Sequence, residues 1–303
     1  MCETCGCTDR AEVKVINLET GKTLSSPSKH EHKVSYGHAH ASDDHHSHDH
    51  NHDHHHDHAH GHSHGHGEAH HASGSTILLE QNVLAKNAAL AARNRAWFSG
   101  REILALNLVS GPGAGKTTLL ERTVKDLRHR HELFVIEGDQ ATSNDGERIK
   151  AAGAPVVQIN TGSGCHLDSG MVARGLTELK PSVGSIVMIE NVGNLVCPAL
   201  FDLGERVKVA ILSVTEGDDK PIKYPHMFQA ASLLLINKID LLPYVDFKLD
   251  RCQAYARQVN PAIEIMTLSA TTGEGLAAWL DWISATSHRE HEATFSPDLA
   301  AFK

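Results

Sequence analysis

The sequence predicts an α/β domain in which helices cover both faces of a mostly parallel sheet. Apolar runs of strand length alternate with amphipathic helical segments from about residue 103 towards the C-terminus. A glycine-rich turn joins the first of these runs to the helix that follows it. The first 75 residues lack apolar periodicity and hold 19 of the 25 histidines, so we expect the folded domain to begin near Thr76.

The elements of this domain follow from its hydrophobic pattern in chain order. Apolar residues at helical spacing, with good helix formers between them, predict a leading helix over residues 76–98. The predicted strands are 103–109, 133–137, 155–160, 185–189, 208–214, 232–236 and 263–268. Helices are predicted to begin near residues 116, 145, 169, 250 and 275. The 228 residues from Thr76 onward are sufficient for one domain of this class.

Charge and hydropathy exclude several functional classes. Residues 1–75 carry 11 acidic and 5 basic side chains, which leaves 26 acidic and 23 basic ones in the domain. No basic stripe could follow the phosphates of a nucleic acid, so nucleic-acid binding is not expected. No stretch approaches the roughly 18 apolar residues that span a bilayer, and the N-terminus lacks the pattern of a signal peptide. We therefore expect a cytoplasmic protein that has no membrane partner.

The glycine-rich turn has the composition and the context of a phosphate-binding P-loop. Residues 110–118 read Ser-Gly-Pro-Gly-Ala-Gly-Lys-Thr-Thr between a strand and a helix. Backbone N–H groups of the loop converge on a β-phosphate, while Lys116 neutralises the β- and γ-phosphates and the Thr117 hydroxyl binds Mg²⁺. Ser110 replaces the first glycine of the consensus, and a purely structural turn is the alternative. The expected nucleotide-binding residues here are Gly111, Gly113, Gly115, Lys116, Thr117 and Thr118.

A second motif is expected to select the base. Asn237-Lys238-Ile239-Asp240 follows a predicted strand, where the Asp240 carboxylate can accept hydrogen bonds from N1–H and the exocyclic amine of guanine. Adenine offers no such pair of donors. Ser269 and Ala270 follow the next strand and are expected to form the second wall of the base pocket. A four-residue match alone is weak, but behind a P-loop it predicts GTP/GDP rather than ATP.

An acidic residue at the end of a later strand is expected to respond to the γ-phosphate. Glu190 begins the run Glu-Asn-Val-Gly, at a position where Asp is usual. Either Glu190 or Asp139 would hold Mg²⁺, directly or through water, and both are candidate catalytic residues beside Lys116 and Thr117. Helix N-capping is the alternative role for Asp139. Because the sequence places no Gln or Arg to orient water or to act as a finger, we expect slow intrinsic hydrolysis.

The residues before the domain carry two groups of metal ligands. Cys2, Cys5 and Cys7 place three thiols within six residues, which favours a metal site over a disulfide framework. Histidines interleaved with Asp and Gly over residues 30–71 cannot form a core, and they predict buffering of Ni²⁺ or Zn²⁺. A solvated spacer with incidental metal affinity is the alternative. A β-like run at residues 13–18 is too short to fold alone, so residues 8–29 are interpreted as a tether.

Cys165, His166 and Cys197 suggest a further metal site within the domain. Cys165-His166 follows a glycine-rich turn, and Cys197 lies four residues after Gly193. Two thiols and an imidazole on loops can bind a transition metal. As isolated residues they would also suit buried core positions. Spacing alone does not choose between these roles.

Together these motifs resemble the HypB family of hydrogenase maturation GTPases over nearly the whole chain. The resemblance rests on the N-terminal Cys-x-x-Cys-Gly-Cys, the histidine segment, the P-loop and residues 237–240. It also rests on three further runs, at residues 137–140, 164–168 and 190–198.

The resemblance implies a P-loop G domain of the dimerising SIMIBI type, and hence a homodimer. It implies nickel at the N-terminal cysteines and a weaker nickel or zinc site at the three ligands within the domain. It further implies delivery of Ni²⁺ to the NiFe hydrogenase large-subunit precursor, together with a HypA-type nickel accessory protein, with GTP hydrolysis gating the transfer. The choice of nickel comes from the resemblance, since thiolates alone suit zinc equally.

Three alternative functions share parts of this pattern. A urease-type nickel accessory GTPase also pairs a P-loop with histidines, although the N-terminal cysteine motif and the run Gly-Asn-Leu-Val-Cys-Pro argue against it. A metal-storage protein would bind many ions with little GTPase activity, and a kinase would prefer ATP. The expected organisation is a cysteine motif with its tether (1–29), a histidine-rich segment (30–75) and a P-loop GTPase domain (76–303).

Overall fold

The computed structural model describes residues 13–25 and 71–295, with side chains described for residues 13–25 and 81–290. The strands in these ranges are β1 (Lys14–Asn17), β2 (Thr23–Ser25), β3 (Leu104–Ser110), β4 (Leu133–Asp139), β5 (Val156–Asn160), β6 (Ile186–Glu190), β7 (Val207–Ser213), β8 (Leu233–Asn237) and β9 (Glu264–Thr267). The helices are α1 (His71–Ser99), α2 (Lys116–Leu127), α3 (Asn144–Ala152), α4 (Ser169–Leu179), α5 (Cys197–Leu200), α6 (Lys220–Lys223), α7 (Pro225–Ala230), α8 (Leu249–Val259) and α9 (Leu276–Phe295). A 3-10 helix covers Ile239–Tyr244.

The strands form one sheet in the order β2-β1-β5-β4-β6-β3-β7-β8-β9. All neighbours from β5 to β9 in that order pair in parallel, while β1 and β2 pair antiparallel at the β5 edge. The predicted fold, a mostly parallel sheet with helices on both faces, is thereby confirmed. The first ten residues of α1 belong to a different unit from the sheet.

The core explains why the strands read as continuous apolar runs. Successive side chains of a strand point to opposite faces of the sheet. Leu106 and Leu108 of β3 enter a core shared with α2, α3 and α9, in which Trp279 is fully buried. Ala105 enters a second core that contains Phe98 of α1 and residues of α4. Because β3 is buried along its whole length, the loop that follows it starts from a fixed position.

The observed elements agree with the sequence patterns, with differences at the ends. The leading helix begins at His71 rather than near residue 76. The helices α5, α6 and α7 and the 3-10 helix were not predicted, because four to six residues are too few to show a helical period. Among the described helices, none has the length and apolar content that crossing a bilayer would require.

Residues 14–25 correct the interpretation of residues 8–29 as a tether. β1 pairs with β5, and the β1–β2 hairpin extends the sheet at that edge. Val15 is 1% exposed and lies opposite Ile159, so one apolar side chain anchors the strand. Asn17 closes the turn by accepting hydrogen bonds from two backbone N–H groups. The tether prediction is wrong for these residues because a run too short to fold alone pairs with the open edge of β5.

Candidate functional site

The loop between β3 and α2 has the geometry of a phosphate-binding turn. Gly113 and Gly115 have φ values of 74° and 95°, in the left-handed region that glycine adopts without strain. A Cβ atom on Gly115 would lie 2.6 Å from Asn237 Nδ2, so a larger residue would displace that side chain. Lys116 Nζ donates to Ser110 Oγ at 2.9 Å. The serine at the non-consensus position therefore anchors the lysine across the loop.

A cavity of about 560 Å³ opens above this loop. Of the residues predicted to bind phosphate, its wall contains Gly113, Gly115, Lys116, Thr117 and Thr118. Gly111 lies outside the wall, against Glu216, whose Oε2 atom would be 2.6 Å from a Cβ on Gly111. Burial raises the pKa of Glu216, although a hydrogen bond from Ser213 and nearby lysines oppose the shift.

Of the residues of the predicted base pocket, Asn237 and Lys238 are hydrogen-bonded to the P-loop, and Lys238 also lines the cavity. Asn237 Nδ2 donates to a P-loop carbonyl at 2.9 Å, and its Oδ1 accepts from Ala270 N at 3.1 Å. Lys238 Nζ donates to another P-loop carbonyl at 2.7 Å. Ser269 is fully buried beside them. Asp240 Oδ1 is buried and has no hydrogen-bond partner within the described part of the chain, which leaves an acceptor of the kind that a guanine N–H would satisfy.

Three carboxyl groups meet on the other side of the P-loop. Oxygen atoms of Glu137, Asp145 and Glu190 lie within 4.8 Å of one another, and Thr117 Oγ1 donates to Glu190 Oε1 at 2.7 Å. Burial raises the pKa of Glu137 to about 9, and the negative charge of Glu190 is the second largest cause of this shift. Burial also raises the pKa of Glu190 to about 7, although Lys116 opposes the shift. Oε2 atoms of Glu137 and Glu190 are buried without partners among the described residues, so this donor set fits a hard divalent cation such as Mg²⁺.

Asp139 differs from these groups because its carboxylate is already bound. Its Oδ2 accepts from Thr142 N at 2.9 Å and from Thr142 Oγ1 at 2.5 Å. Burial acts to raise the pKa of Asp139, but these hydrogen bonds outweigh it and lower the pKa. The N-cap of α3 is Ser143, so the alternative of Asp139 as a helix N-cap is wrong.

Four polar residues of the cavity, one of them Asp145 of the carboxyl cluster, were missed by reasoning from the sequence. Glu137 carried a signal, since it is an acidic residue inside an apolar strand, but only its neighbour Asp139 was considered. Gln140 and Arg148 also line the cavity. Arg148 is held by Glu121 at 3.0 Å and by Asp145 at 3.2 Å. Their position depends on how α3 packs, which no local pattern reveals.

Cys165, His166 and Cys197, here called the internal metal site, come together in the structure. Their potential ligand atoms lie within 4.8 Å of one another, and Cys165 Sγ is 3.6 Å from His166 Nδ1. The His166 ring lies on Phe201 with a centroid distance of 3.8 Å. Burial lowers the pKa of His166, although the charge of Asp168 opposes it, so the imidazole stays neutral as a ligand must be. Two thiols and an imidazole suit Ni²⁺ or Zn²⁺.

The two loops of the internal metal site meet across the end of β4. Cys165 follows β5 and Cys197 follows β6, and β4 lies between these strands. The segment after β5 crosses over Gly138, where a Cβ would lie 2.7 Å from Leu167 Cγ. The absence of a side chain at Gly138 therefore creates the space for the crossing. Cys165 also lines the cavity above the P-loop, so the two candidate sites share a wall.

Helix α1 holds the two segments that follow the loops of the internal metal site. Asn94 Nδ2 donates to Ser169 O at 2.8 Å and to Leu203 O at 2.9 Å. Asn87 Nδ2 donates to Asp202 O at 2.7 Å, and its Oδ1 accepts from Ser169 N at 2.9 Å. These two buried asparagines give the leading helix a second role beside the core packing that its pattern predicts.

The remaining predicted metal ligands lie outside the described residues. These are Cys2, Cys5 and Cys7, together with the histidines between residues 30 and 70. Their interpretation as metal ligands stays a prediction.

Comparison with known proteins gives concordant results for sequence and fold. Residues 105–267 match the family described as CobW/HypB/UreG, nucleotide-binding domain. The chain is 58% identical over 217 residues to hydrogenase maturation factor HypB of Escherichia coli, covering 70% of this chain and 75% of that protein.

Two solved structures of similar proteins have the same fold. HypB from Archaeoglobus fulgidus matches with a TM-score of 0.63 and 36% identity, over 67% of this chain and 99% of that one. HypB from Helicobacter pylori in complex with nickel matches with a TM-score of 0.63 and 33% identity, over 67% of this chain and 96% of that one.

Proposed function

The chain belongs to the HypB group of the CobW/HypB/UreG family, and we propose that it is a GTPase that stores Ni²⁺ and delivers it for assembly of a NiFe hydrogenase. One observation carries this proposal: P-loop residues and Cys165 of the internal metal site line the same cavity. A nucleotide bound in the cavity would lie beside a transition-metal site. The names of the related proteins supply hydrogenase maturation as the process served.

Nucleotide binding is assigned to the P-loop and the base pocket. The loop from Gly111 to Thr118 would hold the phosphates through its backbone N–H groups and the start of α2. Asp240 would accept from guanine, which is supported by its buried oxygen without a partner in the described chain. Asn237 and Lys238 would support the pocket from below, since both are hydrogen-bonded to the P-loop. GTP and GDP are the proposed ligands.

We assign hydrolysis to residues that neutralise the charge of the phosphates and position the bound cation. Lys116 would leave Ser110 to neutralise the β- and γ-phosphates. Thr117 and Glu190 would hold Mg²⁺, with Asp139 acting through water. When bound, this ion supplies positive charge at the β- and γ-phosphates. Slow intrinsic turnover is proposed because Arg148, the arginine of the cavity wall, is engaged by two carboxylates and is not placed as a finger.

Metal transport is assigned to three groups of ligands with different roles. The internal metal site would hold the nickel in transit, or zinc in its absence. The N-terminal cysteines would form a tighter nickel site, and the histidine segment would store Ni²⁺ or Zn²⁺. The proposed setting is a cytoplasmic homodimer that works with a HypA-type accessory protein and the hydrogenase large-subunit precursor.

The central test replaces Lys116 and compares it with a lysine on the same helix. Lys116→Ala is expected to lower kcat for GTP at least ~100-fold, because the charge on the γ-phosphate is lost. Lys125→Ala removes an exposed lysine paired with Glu121 and is expected to hydrolyse GTP normally. Both are assayed with GTP and ATP, and for hydrogenase activity in cells that lack their own nickel-delivery GTPase. Preference for ATP would favour a kinase, and rescue of urease without hydrogenase would favour the urease-type alternative.

A deletion tests storage separately from hydrolysis. Removing residues 30–71 is expected to lower the number of Ni²⁺ ions bound per chain while leaving kcat for GTP unchanged. Hydrogenase activity is then expected to fall in scarce nickel and to recover in plentiful nickel. A loss of maturation at every nickel level would instead assign a transfer role to this segment.

A further inference from the structure

Asn191 is the buried side chain at which the nucleotide-facing turn meets the internal metal site. It follows Glu190 directly, at the end of β6, and is 1% exposed. Its backbone N–H donates to Leu108 O on β3, the strand that leads into the P-loop, at 3.0 Å. We propose that Asn191 is the positioning residue through which nucleotide state sets metal affinity at the internal metal site. This inference rests on the function proposed above.

The Asn191 carbonyl oxygen joins the first metal loop to the turn. Oδ1 accepts hydrogen bonds from Leu167 N and from Val192 N, both at 3.0 Å. Leu167 adjoins the ligand His166, and Val192 lies in the turn after Glu190. A single oxygen atom thus fixes the backbone beside a metal ligand to the backbone beside the carboxylate that contacts the P-loop.

The Asn191 amide nitrogen leads to the second metal loop through a buried chain of polar groups. Nδ2 donates to Asn107 Oδ1 at 3.3 Å, and Asn107 Nδ2 donates to Glu205 Oε1 at 3.0 Å. Lys208 Nζ lies 3.6 Å from the same Glu205 oxygen. Lys208 also donates to three carbonyl oxygens in and just after α5, at 3.0, 3.3 and 3.2 Å. Since α5 begins at Cys197, the chain ends beside the other thiol.

The turn itself rests on the P-loop. A Cβ on Gly193 would lie 3.2 Å from Pro112 Cα, and Glu190 accepts from the hydroxyl of Thr117. A γ-phosphate and its cation arriving at Thr117 would therefore displace the residues on either side of Asn191. Buried hydrogen bonds are costly to leave unmade, so the network would move as a unit and carry both metal loops with it.

The test measures Ni²⁺ affinity at the internal metal site in two nucleotide states. Full-length protein is used with its three N-terminal cysteines replaced by Ser, so that nickel–thiolate charge-transfer absorption reports Cys165 and Cys197. Cys252 is fully buried in α8 and does not contribute. Affinities are determined against a chelator with saturating GDP and with a saturating non-hydrolysable GTP analogue.

Asn17→Ala is the matched control for Asn191→Ala. Asn17 is also buried, and its side chain also accepts from two backbone N–H groups and donates once, to Glu178 O, far from the cavity. The parent is expected to show a ratio of affinities of about 5 to 150 between the two states. Asn17→Ala is expected to keep that ratio, and Asn191→Ala to bring it to one. By linkage, the effect of Ni²⁺ on GTP-analogue affinity falls to one in the same variant.

The outcomes distinguish a failure of this inference from a failure of the proposed function. An unchanged ratio in Asn191→Ala overturns the inference and leaves nickel delivery by a GTPase intact. A ratio of one in the parent overturns both the inference and the gating of transfer by GTP. If Asn191→Ala does not fold, Asn191→Asp serves instead, because it keeps the oxygen that accepts from Leu167 and loses the donor to Asn107. Its expected ratio lies between one and that of the parent, and a parental ratio counts against the inference.

Discussion

The nucleotide side of the cavity and the internal metal site are built in different ways. On the nucleotide side, the residues expected to bind the phosphates and the base are neighbours in sequence, as in residues 110–118 and 237–240, although the carboxyl cluster joins separate segments. At the internal metal site, Cys165 and Cys197 follow two strands that are separated by β4. They meet because the segment after β5 crosses Gly138 and is held by Asn191.

This difference determines how each region responds to substitution. A local motif carries its own geometry, so a change at one contact residue alters one interaction. A site assembled from distant loops depends on residues that never touch the ligand, because these set the distance between its halves. Substitutions near the internal metal site are therefore expected to act at a distance, whereas those on the nucleotide side act directly.

The largest effect is expected for Asp240→Asn on the nucleotide side. An amide can donate to the C2 carbonyl of xanthine, where the carboxylate accepted from guanine, so preference should shift from GTP towards XTP by ~100-fold or more. Competition kinetics with the two nucleotides measures the shift. Nickel affinity without nucleotide is expected to stay unchanged. Unaltered GTP selectivity would remove Asp240 from the base pocket.

A smaller effect is expected for Gly138→Ala, which tests the crossing. The new Cβ would lie 2.7 to 2.9 Å from three side-chain carbons of Leu167 and would push the loop that carries His166 away from Cys197. Nickel affinity at the internal metal site is expected to fall about 10- to 100-fold, as for residues that support metal ligands. Equilibrium titration of the form lacking the N-terminal thiols measures it.

Gly175→Ala is the control for this crossing, since its Cβ would contact Ile136 and Ile159 of the core at 3.3 and 3.4 Å and not the metal loops. Equal nickel affinities in Gly138→Ala and Gly175→Ala would show that the loops reach each other without the space at Gly138. Loss of GTP binding larger than loss of nickel binding would show that the two regions are not distinct in the way described.

The same difference explains which features could be predicted from the sequence. The parallel sheet was predicted from apolar runs and the P-loop position of Lys116 from a contiguous motif, because both signals are local. The role of Asp240 in selecting the base stays a prediction. The run containing Asn191 was recognised without a role for its side chain, since its partner Leu167 lies 24 residues away. Glu137 was not considered because its burial depends on the two neighbouring strands, β5 and β6, and not on its own segment. The pairing of β1 with β5 was not predicted for the same reason, because it depends on a strand that is distant in sequence.

A change in stability rather than in ligand affinity is expected for Glu137→Gln, which adjoins Gly138 on β4 and tests the nucleotide side at the point nearest the metal loops. The pKa of Glu137 is raised from its usual 4.5 to about 9, mainly by burial, so the folded protein retains a proton that the unfolded chain releases. Stability is therefore expected to fall as pH rises from about 4.5 to about 9.

Gln resembles the protonated acid and cannot ionise. The stability of Glu137→Gln should therefore match that of the parent near pH 4.5 and exceed it increasingly as pH rises. At pH 7, about 2.5 units above the usual pKa, the gain is about 3 kcal/mol, or a Tm higher by roughly 10 °C. Thermal unfolding in EDTA without nucleotide, at several pH values, measures the difference, with Glu147→Gln on the exposed face of α3 as control. A gain that is the same at every pH would mean that Glu137 does not hold a proton in the folded state, and the carboxyl cluster would then carry a full negative charge before any cation binds.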